Sequence, residues 1–232
     1  MKFASLRASC ADVNRRLGSS GLVDMTFGNV SVYDPDAGCF AIKPSGVAYD
    51  ALTDADIVIL DLEGKVVDGK LRPSSDTPTH RRLFIEYGSR GVRSVVHTHS
   101  RHAVVFAQAG ISIPCLGTTH ADSFRGAVPT TRFLTDDEIR GEYEWETGNL
   151  IVETLSDRDP LECAAVLVRG HGPFAWGRDA NDALEHALTL EIIAEMAWKT
   201  RMLCPEVQPI PNALLSKHFD RKHGPKAYYG QS

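Results

Sequence analysis

The stretch Val92-Arg93-Ser94-Val95-Val96-His97-Thr98-His99-Ser100-Arg101-His102 runs from an apolar lead-in into three histidines. The lead-in, 92–96, reads as a buried strand. Side chains alternate along a strand, so the spacing predicts that His97 and His99 leave the same face. Two imidazoles so placed reach one ion, and a third can come from the end of another strand. His171, in Arg169-Gly170-His171-Gly172-Pro173 after a second apolar run at 164–168, is the candidate. Catalytic divalent-metal sites use three or four protein groups and keep a position open for substrate. The competing reading is a pair of strand-end histidines satisfied by ordinary hydrogen bonds.

Outward from this strand, hairpins and helices succeed one another. Helical spacing of Leu6, Cys10, Val13 and Leu17 predicts a first helix, closed by Gly18 and Gly21. Two β-like runs within 25–42 flank Asp34-Pro35-Asp36-Ala37-Gly38, a turn signal, and 57–62 with 65–67 form a second hairpin about Glu63-Gly64. Thr77 can cap a helix over 77–86, with Pro78 in its first turn. An apolar helix is expected over 102–109. A capping box at Thr135-Asp136-Asp137-Glu138 starts another near Glu138, and Asp179 caps a long helix to about Leu203. The expected fold class is α/β of the α+β type, with a central, mainly antiparallel sheet flanked by helices in one domain spanning 1–232.

Composition narrows the function. The 232 residues are 43% hydrophobic and 24% charged, enough for one sizeable core in an ordinary globular chain. A net charge of −5 gives no general attraction to nucleic acid or membrane, so an anion site has to be local. No apolar run approaches the ~20 residues of a membrane span, and the first seven residues carry no signal-peptide core. Cys10, Cys39, Cys115, Cys163 and Cys204 are odd in number and form no CxxC pair, so they read as reduced core thiols. The expectation is a cytoplasmic protein with neither nucleic-acid nor membrane partners.

Further groups complete the chemistry. Asp76, in Arg72-Pro73-Ser74-Ser75-Asp76-Thr77-Pro78-Thr79-His80, precedes a helix; alone it reads as a carboxylate serving free helix-start amides. Beside three histidines it supplies a hard oxygen ligand. Zinc suits an N₃O set, and Mn²⁺ or Co²⁺ can occupy one too. The turns Gly28-Asn29, Lys43-Pro44-Ser45-Gly46 and Ser74-Ser75 offer amides, hydroxyls and a lysine that together can hold a phosphate. Each alone is ordinary turn chemistry. Asp122 follows the apolar run 111–116. Glu142, Glu144 and Glu146 read as a solvated helix face, and His80, His102 and His186 as structural. The tail, 218–229, is basic and aromatic; it reads either as a disordered end or as a segment that docks and brings a tyrosine to a site.

TFGNVSVYD, IKPSGVAYD, RPSSDTPTHR, VVHTHSRHA, GTTHAD, GEYEWETGN, GHGPFAWG and KAYYGQ run almost end to end, and together they resemble the class II aldolase/adducin family. HTH with a distant HGPF marks the whole family. GEYEWETGN, SSDTPTH and the YYGQ tail resemble its epimerase branch more narrowly, as does Asp76 where the sugar-phosphate aldolases carry Glu. The resemblance implies Asp76, His97, His99 and His171 as metal ligands and Asp122 and Tyr229 as acid/base residues. It implies Gly28, Asn29, Lys43, Ser45, Gly46, Ser74 and Ser75, with His218, as substrate-binding residues. It further implies a phosphorylated ketopentose as substrate, inverted by breaking and re-forming a carbon–carbon bond. A homotetramer with sites between neighbouring subunits is implied as well. The alternatives are an aldolase releasing the two fragments, a dehydratase of another ribulose phosphate, and a non-catalytic adducin-like interaction module.

Overall fold

Polar turns at 34–38 and 62–65 fold the first third of the chain into a meander. In the computed structural model, which describes residues 3–225 and 227–228, α1 (Ala4–Ser19) leads into β1 (Asn29–Asp34), β2 (Cys39–Ile42), β3 (Val58–Asp61) and β4 (Val66–Asp68). Asp34 Oδ1 accepts from the amides of Asp36 and Ala37, and Gly38 takes a positive φ of 63°, which closes the first hairpin as its sequence predicts. There follow α2 (Thr77–Tyr87), β5 (Ser94–His97), α3 (Arg101–Ala109), α4 (Thr118–Ala121), α5 (Asp136–Arg140) and α6 (Tyr143–Thr154). The chain then forms β6 (Ala165–Leu167), β7 (Pro173–Gly177), α7 (Ala180–Leu203) and α8 (Asn212–His223).

Among the described residues the strands make one seven-stranded sheet in the order β4-β3-β2-β1-β5-β7-β6, with every neighbouring pair antiparallel. The expected fold class is met. Ser31 and Tyr33 share one face of β1. That face carries α2, whose His80 bonds Ser31 and whose Phe84 stacks on Tyr33, with α6 packed against α2. α1 and α7 pack on β1, β5 and β7, with α3 against α7. Trp176, Phe40 and Phe174 have no exposed surface, and the Trp176 indole N–H donates to Pro160 O at 2.7 Å, so its one polar atom is satisfied within the core.

Several local expectations shift. β5 ends at His97 rather than His99, because the Thr98 amide makes the last cross-strand bond, 3.3 Å to Pro173 O. α2 is capped in position by Asp76, not Thr77, whose hydroxyl turns back to Ser74 O at 2.6 Å. β7 was not expected as a strand; Pro173 stands at its first residue, where a missing N–H costs nothing. The tail is ordered through α8, which docks on α4. Four of the five free cysteines are buried, but Cys204, at the end of α7, is exposed and so is no core thiol. No helix among the described residues is long and apolar enough to cross a membrane.

Candidate metal centre and substrate cavity

Strand register builds the centre. Asn29 opens β1 opposite His97, the last residue of β5, and His97 lies opposite Phe174 of β7. Three side chains thus share one sheet end, and the His97 ring stacks on Phe174 at 4.2 Å between centroids. His171 sits in the turn before β7, closed by Val168 N to Gly172 O at 2.9 Å and by Gly170 at φ +74°. Gly172 lets this turn lie against the end of β5: a Cβ there would stand 2.8 Å from Thr98 O and 3.6 Å from both the His97 and His99 rings.

One ligand nitrogen from each of His97, His99 and His171 lies within 4.8 Å of the other two. His97 Nδ1 is 3.0 Å from Pro173 O, which assigns it the ring proton and leaves the Nε2 lone pair facing His99 Nε2 at 3.2 Å. Two nitrogens ~2.0–2.1 Å from one tetrahedral zinc stand roughly 3.4 Å apart. The spacing therefore fits a shared ion. Burial, then the neighbouring imidazoles, hold His99 below its ordinary value and His171 down to about 4, so at neutral pH both offer lone pairs instead of protons.

Asp76 borders this cluster. It occupies the N-cap of α2 yet makes no capping hydrogen bond; its Oδ2 instead accepts from Asn29 Nδ2 at 2.6 Å. The helix-start role is therefore not the one its carboxylate plays. Burial works to raise its pKa, but His97, His80, the Asn29 amide and His171 outweigh it and leave the group ionised. Beneath it, the buried His80 bonds Ser31 Oγ through Nδ1 at 2.6 Å, and burial carries its pKa down to about 3.

The imidazoles open on a cavity of about 400 Å³ lined also by Gly28, Asn29, Lys43, Ser45, Gly46, Ser74, Ser75 and Asp76. Every substrate-binding candidate except His218 is therefore gathered in one place with the four candidate ligands. Two turns form the wall. Ser45 N bonds Arg72 O at 3.0 Å and Ser74 N bonds Lys43 O at 3.1 Å, which pins residues 43–46 to 72–76. Lys43 is only 2% exposed, and burial lowers its pKa. Its ammonium meets the Pro44 carbonyl at 3.3 Å and the Tyr49 ring face at 4.9 Å.

Other members fall elsewhere or were missed. Asp122, just after α4, does not line this cavity; its carboxylate takes Arg221 Nε and Nη2 of α8 at 3.1 and 2.7 Å and His218 Nδ1 at 3.0 Å. Tyr229 lies outside the described residues. Thr26, Phe27, Tyr143 and Glu144 also line the cavity, and their local sequence does not announce it. Glu144, expected on a solvated helix face, instead lines the cavity together with Tyr143 at the start of α6, which helical periodicity alone does not signal.

A family model described as Class II Aldolase and Adducin N-terminal domain matches residues 8–198. L-ribulose-5-phosphate 4-epimerase UlaF of Salmonella paratyphi B is 52% identical over 226 residues, covering 97% of this chain and 98% of its own, and the protein of the same description from Salmonella typhi is equally similar. Among solved structures, an L-fuculose 1-phosphate aldolase superposes with a TM-score of 0.78 at 22% identity, covering 94% of this chain and 96% of its own. YgbL of Klebsiella pneumoniae, titled a putative aldolase/epimerase/decarboxylase, does so with 0.73 at 20%, over 92% and 97%. At those identities the structural likeness speaks for the fold alone.

Proposed function

Because the chain belongs to the class II aldolase and adducin N-terminal domain family, we propose that it interconverts L-ribulose 5-phosphate and D-xylulose 5-phosphate with the help of a divalent metal, as a cytoplasmic enzyme whose 1–232 form one catalytic domain. The observation that carries this reading is the single cavity in which three imidazoles, a carboxylate and a buried lysine face the same space. The 4-epimerase relatives, matched nearly end to end, favour this substrate pair over an aldolase's.

His97, His99, His171 and Asp76 would hold the metal, with zinc the best match to three nitrogens and one oxygen and Mn²⁺ or Co²⁺ as substitutes. When bound, such an ion supplies Lewis acidity at the substrate's carbonyl oxygen. The phosphate lies against Lys43, Ser45, Gly46, Ser74 and Ser75, and Gly28 and Asn29 hold the sugar end. The hydrogen on C4 of a 2-ketopentose is not next to the carbonyl, so direct deprotonation does not invert that centre. Cleavage of C3–C4 does. A base takes the C4 hydroxyl proton, the C3–C4 pair moves toward C2, and glycolaldehyde phosphate parts from the enediolate of dihydroxyacetone. Held by its phosphate, the aldehyde turns over; C3 then adds to its other face, and an acid on that side returns a proton to the C4 oxygen.

Asp122 and Tyr229 are the acid/base pair in this scheme, with His218 contacting substrate. Asp122 and His218 stand together away from their own chain's cavity, which supports a homotetramer in which they and the tail serve the neighbouring subunit's site. Carbon NMR of L-ribulose 5-phosphate incubated with the zinc-loaded protein tests the reading. D-xylulose 5-phosphate at equilibrium without lasting fragments is expected. Accumulating dihydroxyacetone and glycolaldehyde phosphate would make it an aldolase, and no turnover with metal bound would overturn the substrate.

A further inference from the structure

The segment GEYEWETGN, 141–149, takes no part in the scheme above, yet its helix is fixed with care. Gly148 lets α6 lie directly on α2, since a Cβ there would stand 2.7 Å from Arg82 Cβ and 3.4 Å from Thr79 Cα. The Trp145 indole receives the Arg81 guanidinium at 4.5 Å, Asn149 Oδ1 accepts from Arg82 Nε at 2.8 Å, and Thr147 Oγ1 donates to Tyr143 O at 2.8 Å. The first two of these contacts, with the Thr79 hydroxyl donating to Glu144 O, seat the start of α6 against the helix that follows Asp76, and the third lies within α6 itself. What they hold in place is Tyr143. Its ring lines the cavity, and its phenol oxygen stands 3.4 Å from His171 Nδ1, the outer range of a hydrogen bond.

His97 offers a direct comparison. Its Nδ1 is engaged from outside the cluster by Pro173 O, so Nε2 is the nitrogen turned inward. A ligating imidazole is commonly fixed in this way, through its other ring nitrogen. Resting on the metal-site reading given above, we propose that Tyr143 is a positioning residue for the histidine cluster: its phenol oxygen accepts from His171 Nδ1–H, sets the tautomer, and leaves Nε2 to the space shared with His97 and His99.

The test is Co²⁺ binding to the full-length protein stripped of metal, followed by the visible d–d bands, with Tyr143→Phe, Trp145→Phe and His97→Ala beside the wild type. Tyr143→Phe keeps the ring and loses the oxygen. The expected result is an unchanged Tm of the metal-free protein, about tenfold weaker Co²⁺ binding, the low end for loss of such an outer partner, and a shifted band pattern. Trp145→Phe, which keeps an aromatic face for Arg81 and leaves the Tyr143 oxygen in place, should bind as the wild type does. Unchanged affinity and spectrum in Tyr143→Phe would overturn the proposal, as would an equal loss in Trp145→Phe, since the seating of the helix would then be the cause. If His97→Ala binds Co²⁺ as tightly as wild type, the metal-site reading itself fails and this inference with it.

Discussion

Replacing Lys43 by Met should move stability and substrate binding in opposite directions. Lys43 is 2% exposed and its ammonium meets one carbonyl and one ring face, and no ion pair among the described residues includes it. Burial without a counter-charge is costly, and Met fills the same length of cavity wall with no charge to desolvate. Relief of about 1 kcal/mol or more is the scale seen when buried charges give way to apolar side chains, which for a chain of this size raises Tm by roughly 2–4 °C per kcal/mol. The phosphate loses a charge-assisted hydrogen bond of about 1.5–3 kcal/mol, so kcat/KM falls roughly 10- to 150-fold at ~1.4 kcal/mol per decade, mostly through KM. Scanning fluorimetry of the metal-loaded protein gives Tm with and without inorganic phosphate, and steady-state kinetics give KM. Phosphate should raise Tm in the wild type and not in the variant. A KM within twofold of wild type, with phosphate still protective, would refute Lys43 as the anion's partner.

Three other perturbations follow from the same contacts. His120, whose Nε2 donates to Gly126 O at 2.8 Å, is held by burial at about 4 against an ordinary 6.5; between those values the unfolded chain takes a proton the fold refuses. Stability should therefore fall as pH drops from 6.5 to 4, by on the order of 3 kcal/mol for this group, and His120→Gln should flatten urea midpoints over that window; equal slopes in both proteins would exclude it. Asp122 is pulled upward by burial but held below the usual carboxylate range by Arg221 and His218, so a base at this position stays ionised as pH falls, and Arg221→Ala should shift the acid limb of kcat/KM upward; an unmoved limb counts against Asp122 as the base. Gly172→Ala sets a methyl 2.8 Å from Thr98 O and should cost about 1–3 kcal/mol while weakening metal binding, measured by urea denaturation and Zn²⁺ titration; wild-type values in both would show that the turn gives way freely.

Much of this centre is legible in the sequence. Period-two alternation puts His97 and His99 on one side, and the apolar run 164–168 ending near His171 marks a second strand whose end can meet the first. Helix starts announced by Thr135 and Asp179 appear with the caps their side chains suggest. What escaped depends on distant partners. β7 begins at a proline and spans five residues, so it reads as turn until β5 is laid beside it. Tyr143 and Glu144 look like any polar helix start, because the cavity they overlook is made by segments far away in the chain. Asp122 gives no local hint that residues 96 and 99 positions onward will engage it. Tyr229, expected from the resemblance to serve a site between subunits, lies outside the described residues.

The crossed bonds between residues 43–46 and 72–76 have one more consequence. They join Lys43 and Ser45 to Arg72 and Ser74, and Ser74 stands two residues from Asp76. Under the proposed roles, an anchor for the phosphate and an edge of the reaction centre therefore sit on the same bracket. A bracket of this kind works as a ruler. Under those roles a phosphorylated ketose one carbon shorter or longer would fit it less well, and substrate length would be sensed before any hydroxyl is read.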